Sequence, residues 1–151
     1  MGMEEFRDNM RDFIVQHQMH RVLSVFPDQG ADPITAFSYT IGLKHLKDQP
    51  ELLIVGLIGE DAMWLLNELA KRMPEGGFGN GEEISFGGAF PVRLYECVNK
   101  DAWDKYCIQA GIIQGAEEFR IQQVLLCDKW GNFPPKCREP YSKQPLLFLA
   151  Q

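Results

Sequence analysis

The chain has 151 residues, the length of one ordinary domain, and 45% of them are apolar. Its formal net charge is −6, and it has neither the basic footprint of nucleic-acid binders nor a Lys/Arg-rich amphipathic helix typical of membrane-surface proteins. It also lacks an apolar run of the roughly 20 residues that span a bilayer, and a secretory signal. We therefore expect a cytoplasmic protein without nucleic-acid or membrane partners.

Hydrophobic periodicity predicts five elements in the first half of the chain. Helices are indicated where apolar residues recur every three to four positions, and strands where they alternate or run continuously. Turns rich in Pro, Gly and Asp separate the elements. The predictions are a helix over 4–17, strands over 21–26, 36–43 and 52–58, and a helix over 60–73.

The second half predicts a strand, a helix and two further strands. The strand covers 91–98, and Asn99 or Asp101 caps a helix that runs to about Gln114. The last long strand covers 119–127, and 146–149 adds a short one. Helices and strands mix without a strict βαβ repetition, which indicates an α+β domain with a largely antiparallel mixed sheet and about three helices.

Three motifs in order carry a family resemblance. They are the strand Phe37–Leu43 (FSYTIGL), the segment Gln49–Leu52 (QPEL), and the ending that starts at Gln122 or Gln123 and closes with Asp128–Pro134 (DKWGNFP). Together they resemble the DUF4262 family, small bacterial proteins of uncharacterised function. The family pattern has His where this chain has Gln49. The resemblance implies a bacterial or phage-type cytoplasmic origin. Length and the distribution of apolar residues predict one domain over 1–151, with an N-terminal helix over 1–20 and a family-like core over 21–149.

The four cysteines favour free thiols in a reducing cytoplasm, because their spacing matches neither a zinc site nor a redox motif. Cys137 differs from the others because it lies between Lys136 and Arg138. Adjacent cations lower the pKa of a thiol and favour the thiolate. A reactive Cys137 is therefore one interpretation, and a structural cysteine is the other.

Two segments predict a ligand pocket. Ser38, Thr40 and Gly42 share one face of the strand over 36–43, and the missing side chain at Gly42 leaves room for a ligand or another backbone segment. We expect this face to form the floor of the pocket. The rim would be formed by His45, Glu51 and the turn over 128–133, which includes Asp128 and Trp130, and Lys136 and Arg138 would attract an anion.

His45 and Glu51 are the candidates for catalysis. Glu51 lies between Pro50 and a predicted buried strand, where partial desolvation would raise the pKa of its carboxyl group. His45 lies in a polar turn close by. Each residue also has a structural interpretation, Glu51 as an acceptor of backbone hydrogen bonds and His45 as a solvated loop residue. No ligand spacing indicates a metal, and no motif indicates a cofactor.

Three functions remain open at this level. The residues favour a non-enzymatic binding domain for a small anionic ligand or a protein partner. The first alternative is a small hydrolase or transferase with Glu51 or His45 as general base. The second is a protein that blocks a toxin or defence enzyme through its acidic N-terminal half, whose charge would speed encounter with a basic partner. The oligomeric state is not encoded in any motif.

Overall fold

A computed structural model describes residues 2–87, 90–116 and 118–150. Within these ranges, six strands form a single sheet with helices against both of its faces. The strands are β1 (Arg21–Val25), β2 (Phe37–Ile41), β3 (Glu51–Val55), β4 (Glu82–Ile84), β5 (Val92–Glu96) and β6 (Ile121–Leu126). The helices are α1 (Met3–His17), α2 (Leu43–Lys47), α3 (Gly59–Arg72) and α4 (Ile108–Gln114), and a π-helical turn at Ala102–Tyr106 precedes α4.

The strand order is β1-β2-β3-β6-β5-β4, and β3 and β6 at the centre are parallel while their neighbours are antiparallel. Glu51 of β3 is paired with Ile121 of β6, so the two strands start side by side and run in the same direction. Open sheets with parallel strands bind ligands in the crevice beyond the carboxyl ends of those strands. The pair β3–β6 therefore marks where a site is expected.

Both faces of the sheet are covered, which explains the unbroken apolar run of β3. On one face, α1, α4 and the π-helical turn pack against alternate residues such as Tyr39, Ile41 and Leu53. On the other face, the apolar stripe of α3 packs against residues such as Leu52 and Ile54. A strand that is buried on both faces has no polar positions to alternate with, so it reads as continuous Leu, Ile and Val.

The predicted α+β class with a mixed sheet and about three longer helices is confirmed. The predicted helix up to Gln114 is interrupted at Cys107, where the π-helical turn ends and α4 begins. The short helix α2 and the edge strand β4 were not predicted.

The predicted strand over 146–149 is wrong. Leu149 N–H donates to the Leu146 carbonyl in a turn, and Leu147 N–H donates to the side chain of Gln123. The Leu147 carbonyl also accepts from the backbone N–H groups of Val98 and Asn99, but these contacts at one residue do not extend into a strand ladder.

Candidate functional site

Glu51 is the centre of a buried hydrogen-bond cluster at the start of β3. Its side chain has no exposed surface, and it accepts hydrogen bonds from the Thr40 hydroxyl (2.7 Å) and from the backbone N–H groups of Gly42 (3.3 Å), Leu43 (3.2 Å) and Lys44 (3.1 Å). The three N–H groups belong to the start of α2, where a helix leaves donors without internal partners. Burial raises the pKa of the Glu51 carboxyl group, and the donated hydrogen bonds oppose that shift. Glu51 thus holds α2 in place, and it is closed to a substrate.

The predicted pocket floor is wrong because α3 covers the face of the sheet on which Ser38 and Thr40 lie. Ser38 and Thr40 have no exposed surface. A side chain at Gly42, whose φ is +119°, would place its Cβ 3.1 Å from the backbone Cα of His20, so another backbone segment fills the space that was predicted for a ligand. The alternation of β2 was read correctly, but its polar face lies inside the protein.

Ser38 nevertheless supports the turn at the carboxyl end of β3. Its hydroxyl lies 2.8 Å from the Leu57 carbonyl, to which it donates, and 2.8 Å from the hydroxyl of Ser24. The Ser24 hydroxyl accepts a hydrogen bond from Gly59 N–H (3.2 Å), the first residue of α3. These bonds fix the connection from β3 to α3.

The two predicted halves of the pocket lie at opposite ends of the β3–β6 pair. Glu51 is beside Ile121 at the start of β6, whereas Asp128 follows Leu126 at its end. The five steps from Ile121 to Leu126 span about 17 Å at roughly 3.3 Å per residue. None of five pockets lined by the described residues contains members of both halves. The single shared pocket is therefore wrong, and the site must be sought at one end.

Asp128 organises the loop that follows β6. Its carboxylate accepts hydrogen bonds from the backbone N–H groups of Trp130 (3.0 Å), Asn132 (2.9 Å) and Arg138 (2.9 Å). Burial by itself raises the pKa of Asp128, but these donors and the charge of Arg138 together lower it below its usual value. One carboxylate thus connects residues ten positions apart and holds Trp130 and Arg138 in the same loop.

This loop forms one wall of a pocket of about 360 Å³, which we call the Trp130 pocket. The Arg138 guanidinium lies 4.3 Å from the centroid of the Trp130 ring, and the Lys129 ammonium lies 4.6 Å from it. Trp130 is 55% exposed. The described residues that line the Trp130 pocket are Phe90, Cys127, Asp128, Lys129, Trp130, Arg138, Glu139 and Tyr141.

A second pocket of about 410 Å³ adjoins the first and shares Phe90, Cys127 and Tyr141 with it. We call it the Trp64 groove. It is lined mainly by apolar residues between α3 and the ends of β3 and β6, and Trp64 meets Phe86 edge-on with ring centroids 5.5 Å apart. The two pockets together form a continuous aromatic surface beyond the carboxyl ends of the parallel strands. Ligand sites are typically apolar clefts with a few convergent polar groups.

The remaining sequence candidates do not join this site. His45 is exposed on α2, where its backbone N–H donates to Gln114 and its side chain borders a small pocket of about 90 Å³. Lys136 is exposed on the same loop as Arg138, but it is not among the described lining residues of the Trp130 pocket. The pKa of Cys137 is raised by burial and by the charge of Asp128, so the predicted thiolate is wrong. Cys137 is buried, whereas Lys136 and Arg138 on either side of it are exposed.

Neither a metal-binding cluster nor a membrane-spanning helix is found in the described ranges. No group of three or more His, Cys, Asp or Glu residues among residues 2–87, 90–116 and 118–150 could hold a metal ion. No helix in those ranges is long and apolar enough to cross a bilayer.

Sequence reasoning missed the aromatic residues of the Trp64 groove. Trp64 falls outside the apolar stripe of α3 and is 53% exposed. Phe90 is 59% exposed, and Tyr141 begins a short 3-10 helical turn (Tyr141–Lys143) that neither periodicity nor a motif marks. The available signal was a large aromatic residue on the polar face of an amphipathic helix, because that face is normally charged.

The fold and the site define a small α+β domain with an aromatic cleft at one edge of its sheet. The family model for a domain of unknown function, DUF4262, matches residues 14–138. The chain belongs to this family. No curated protein and no solved structure matches the chain.

Proposed function

We propose that the chain is a binding domain for a small phosphate-bearing ligand with a planar group, and that the Trp130 pocket holds it. The observation that carries this proposal is the Arg138 guanidinium stacked on the exposed ring of Trp130. The stack supplies a planar apolar surface and a positive charge at the mouth of a pocket of about 360 Å³.

The guanidinium is available to a ligand. Its side chain forms no hydrogen bond and no ion pair with another residue in the described ranges, although Glu139 is its neighbour in sequence. The guanidinium of an arginine that lies over an aromatic ring still has N–H groups that can bind two oxygens of a phosphate at once. Asp128 supports this arrangement by holding the backbone of Arg138, and its own carboxylate is occupied by backbone donors.

The planar group of the ligand fits the aromatic surface. Any nucleobase can stack on an exposed aromatic ring, since every base has a π-face. Phe90 and Tyr141 border the pocket beside Trp130 and connect it to the Trp64 groove. A nucleoside monophosphate has both parts, with the phosphate at Arg138 and the base on the aromatic residues. Neither Glu51 nor His45 is among the described lining residues of this pocket, which is why binding is proposed here and catalysis by either of them is not.

We also propose that the protein works in a bacterial cytoplasm. All four cysteines are buried free thiols, which agrees with a reducing compartment. The hypothesis that the chain blocks a toxin or defence enzyme stays a prediction of its acidic N-terminal half.

The test is isothermal titration calorimetry with AMP and GMP, with adenosine and inorganic phosphate as partial ligands. Losing a hydrogen bond to a charged group costs about 1.5–3 kcal/mol, so we expect Arg138→Gln to weaken AMP binding about 10- to 100-fold. Lys136→Gln removes the same charge from the same loop outside the pocket, and we expect less than a threefold change. The proposal is wrong if neither nucleotide binds at millimolar concentration, or if the two variants behave alike.

A further inference from the structure

Another pocket lies beside edge strand β1, at the other end of the strand order from β4. It has a volume of about 540 Å³, and we call it the Tyr39 pocket. Strands β1 and β2 form its floor through Leu23, Val25 and Phe37, the start of α1 forms one wall through Phe6, and the π-helical turn and the start of α4 form the other. Phe37 and Tyr39 belong to the FSYTIGL motif, but they lie on the face of β2 opposite to Ser38 and Thr40.

The walls of this pocket are fixed to each other by polar contacts outside the space they enclose. Arg7 Nε of α1 donates to the side-chain oxygen of Gln109 at 2.9 Å, and Arg11 Nε donates to the Ile113 carbonyl at 2.8 Å. Phe37 meets Tyr106 edge-on with ring centroids 4.9 Å apart. The pocket is therefore formed by packed elements that are cross-linked by hydrogen bonds, and its volume falls in the range of small-molecule sites, about 300–1,000 Å³.

Two polar groups of a largely apolar lining carry the inference, the hydroxyl of Tyr39 and the ammonium of Lys105. The Tyr39 side chain is 1% exposed, and its hydroxyl oxygen accepts a hydrogen bond from Gln109 N–H at 3.3 Å. The hydroxyl hydrogen has no acceptor among the described residues, so it can be donated to a ligand. Burial raises the pKa of Tyr39, which keeps the phenol protonated as a donor.

The second polar group is a cation. Lys105 is the only charged side chain among the described lining residues, and its ammonium lies 5.3 Å from the centroid of the Tyr106 ring without an ion-pair partner in the described ranges. An apolar chamber with one hydroxyl donor and one ammonium group at its rim matches a ligand with an apolar body and one anionic head. A second anion would find no partner, and an uncharged hydrocarbon would leave both polar groups unused.

We propose that the Tyr39 pocket binds an amphipathic monocarboxylate, with the carboxylate at Lys105 and the Tyr39 hydroxyl and the hydrocarbon part against Phe6, Leu23, Val25 and Phe37. This site is separate from the Trp130 pocket and does not depend on the function proposed for it. No lining residue is shared between the two.

Titration calorimetry with decanoate tests the proposal, with decanol as the uncharged ligand of the same chain length and butyrate as the short carboxylate. We expect decanoate to bind with one site per chain and both comparison ligands to bind at least tenfold more weakly. Val25→Phe fills the pocket with an aromatic residue that suits a strand, and we expect it to weaken decanoate binding at least tenfold. Lys105→Gln should weaken it about three- to tenfold, and the nearby exposed Lys100→Gln should leave it unchanged.

The two sites are distinguished by crossing ligands and variants. Arg138→Gln should leave decanoate binding unchanged, and Val25→Phe should leave AMP binding unchanged. A thermal melt of each variant verifies that it is folded. The proposal is overturned if decanoate does not bind at millimolar concentration, if decanol binds as tightly as decanoate, or if folded Val25→Phe binds decanoate as the unmodified chain does.

Discussion

The Thr40 hydroxyl donates to the carboxylate of Glu51 at 2.7 Å, and the same hydroxyl oxygen accepts a hydrogen bond from Leu52 N–H at 2.9 Å. Neither side chain has exposed surface. Thr40 thus connects the backbone of β3 to the carboxylate that holds the start of α2. A pair that the sequence suggested as part of a ligand site is instead the internal support of the fold.

Glu51→Gln should destabilise the protein. The amide has one acceptor oxygen where the carboxylate has two, and its NH₂ group would face donors that are buried. A buried donor left without a partner costs about 1–3 kcal/mol, so we expect a loss of about 2–3 kcal/mol in the free energy of unfolding, measured in urea. Glu75→Gln, at an exposed glutamate, is the control and should change the unfolding free energy by less than about 0.5 kcal/mol. An equal stability of the two variants would contradict the role of Glu51.

Gly42→Ala should be more harmful than Gly30→Ala. Both glycines have positive φ, +119° and +83°, so both substitutions strain the backbone. Only Gly42 has a backbone neighbour close to the new Cβ, the His20 Cα at 3.1 Å, whereas Gly30 has open space. We expect Gly30→Ala to cost about 1 kcal/mol and Gly42→Ala about 1–2 kcal/mol more, by urea unfolding. If the two changes cost the same, the contact with His20 is not tight.

His20 should make stability fall as the solution becomes mildly acidic. Burial lowers its pKa below 6.5, and the hydrogen bond with Asn67 opposes that shift. The unfolded chain therefore binds a proton at higher pH than the folded chain does, and stability is lost as pH falls from about 6.5 through the lower folded pKa. The difference in melting temperature between the unmodified chain and His20→Gln should narrow across this window. The control is His45→Gln, at an exposed histidine. The prediction is contradicted if the difference in melting temperature from the unmodified chain changes with pH in the same way for both variants.

Asp128→Asn should loosen the loop that carries Trp130. The asparagine oxygen can still accept from Trp130 and Asn132, but its NH₂ group would face the Arg138 N–H, which now donates to the second carboxylate oxygen. We expect stronger acrylamide quenching of Trp130 fluorescence, measured with Trp64 and Trp103 replaced by Phe.

The same substitution should weaken AMP binding, because Arg138 loses its anchor. Asp28→Asn, at an exposed aspartate, should alter neither the quenching nor the binding. Unchanged quenching in folded Asp128→Asn would show that the carboxylate does not hold the loop.

The sequence predicted much of the secondary structure because that part of the problem is local. The helix predicted over 60–73 is observed at Gly59–Arg72, and the strand predicted over 119–127 is observed at Ile121–Leu126. Apolar stripes and strand alternation are set by residues a few positions apart. The short helix α2 was missed because its stability comes from Glu51, eight positions after its first residue, and not from its own sequence.

The amino-acid sequence by itself determined the α+β class, the family and the turn in which Asp128, Trp130 and Arg138 come together, since ten residues of chain and one buried carboxylate suffice to form it. Only the tertiary structure decided that Ser38 and Thr40 are covered and that Glu51 and Asp128 lie at opposite ends of a parallel pair. Strand direction and the covering of a sheet face are set by contacts between distant segments. Periodicity along one strand is the same whether its polar face meets solvent or another layer, so it cannot carry that information.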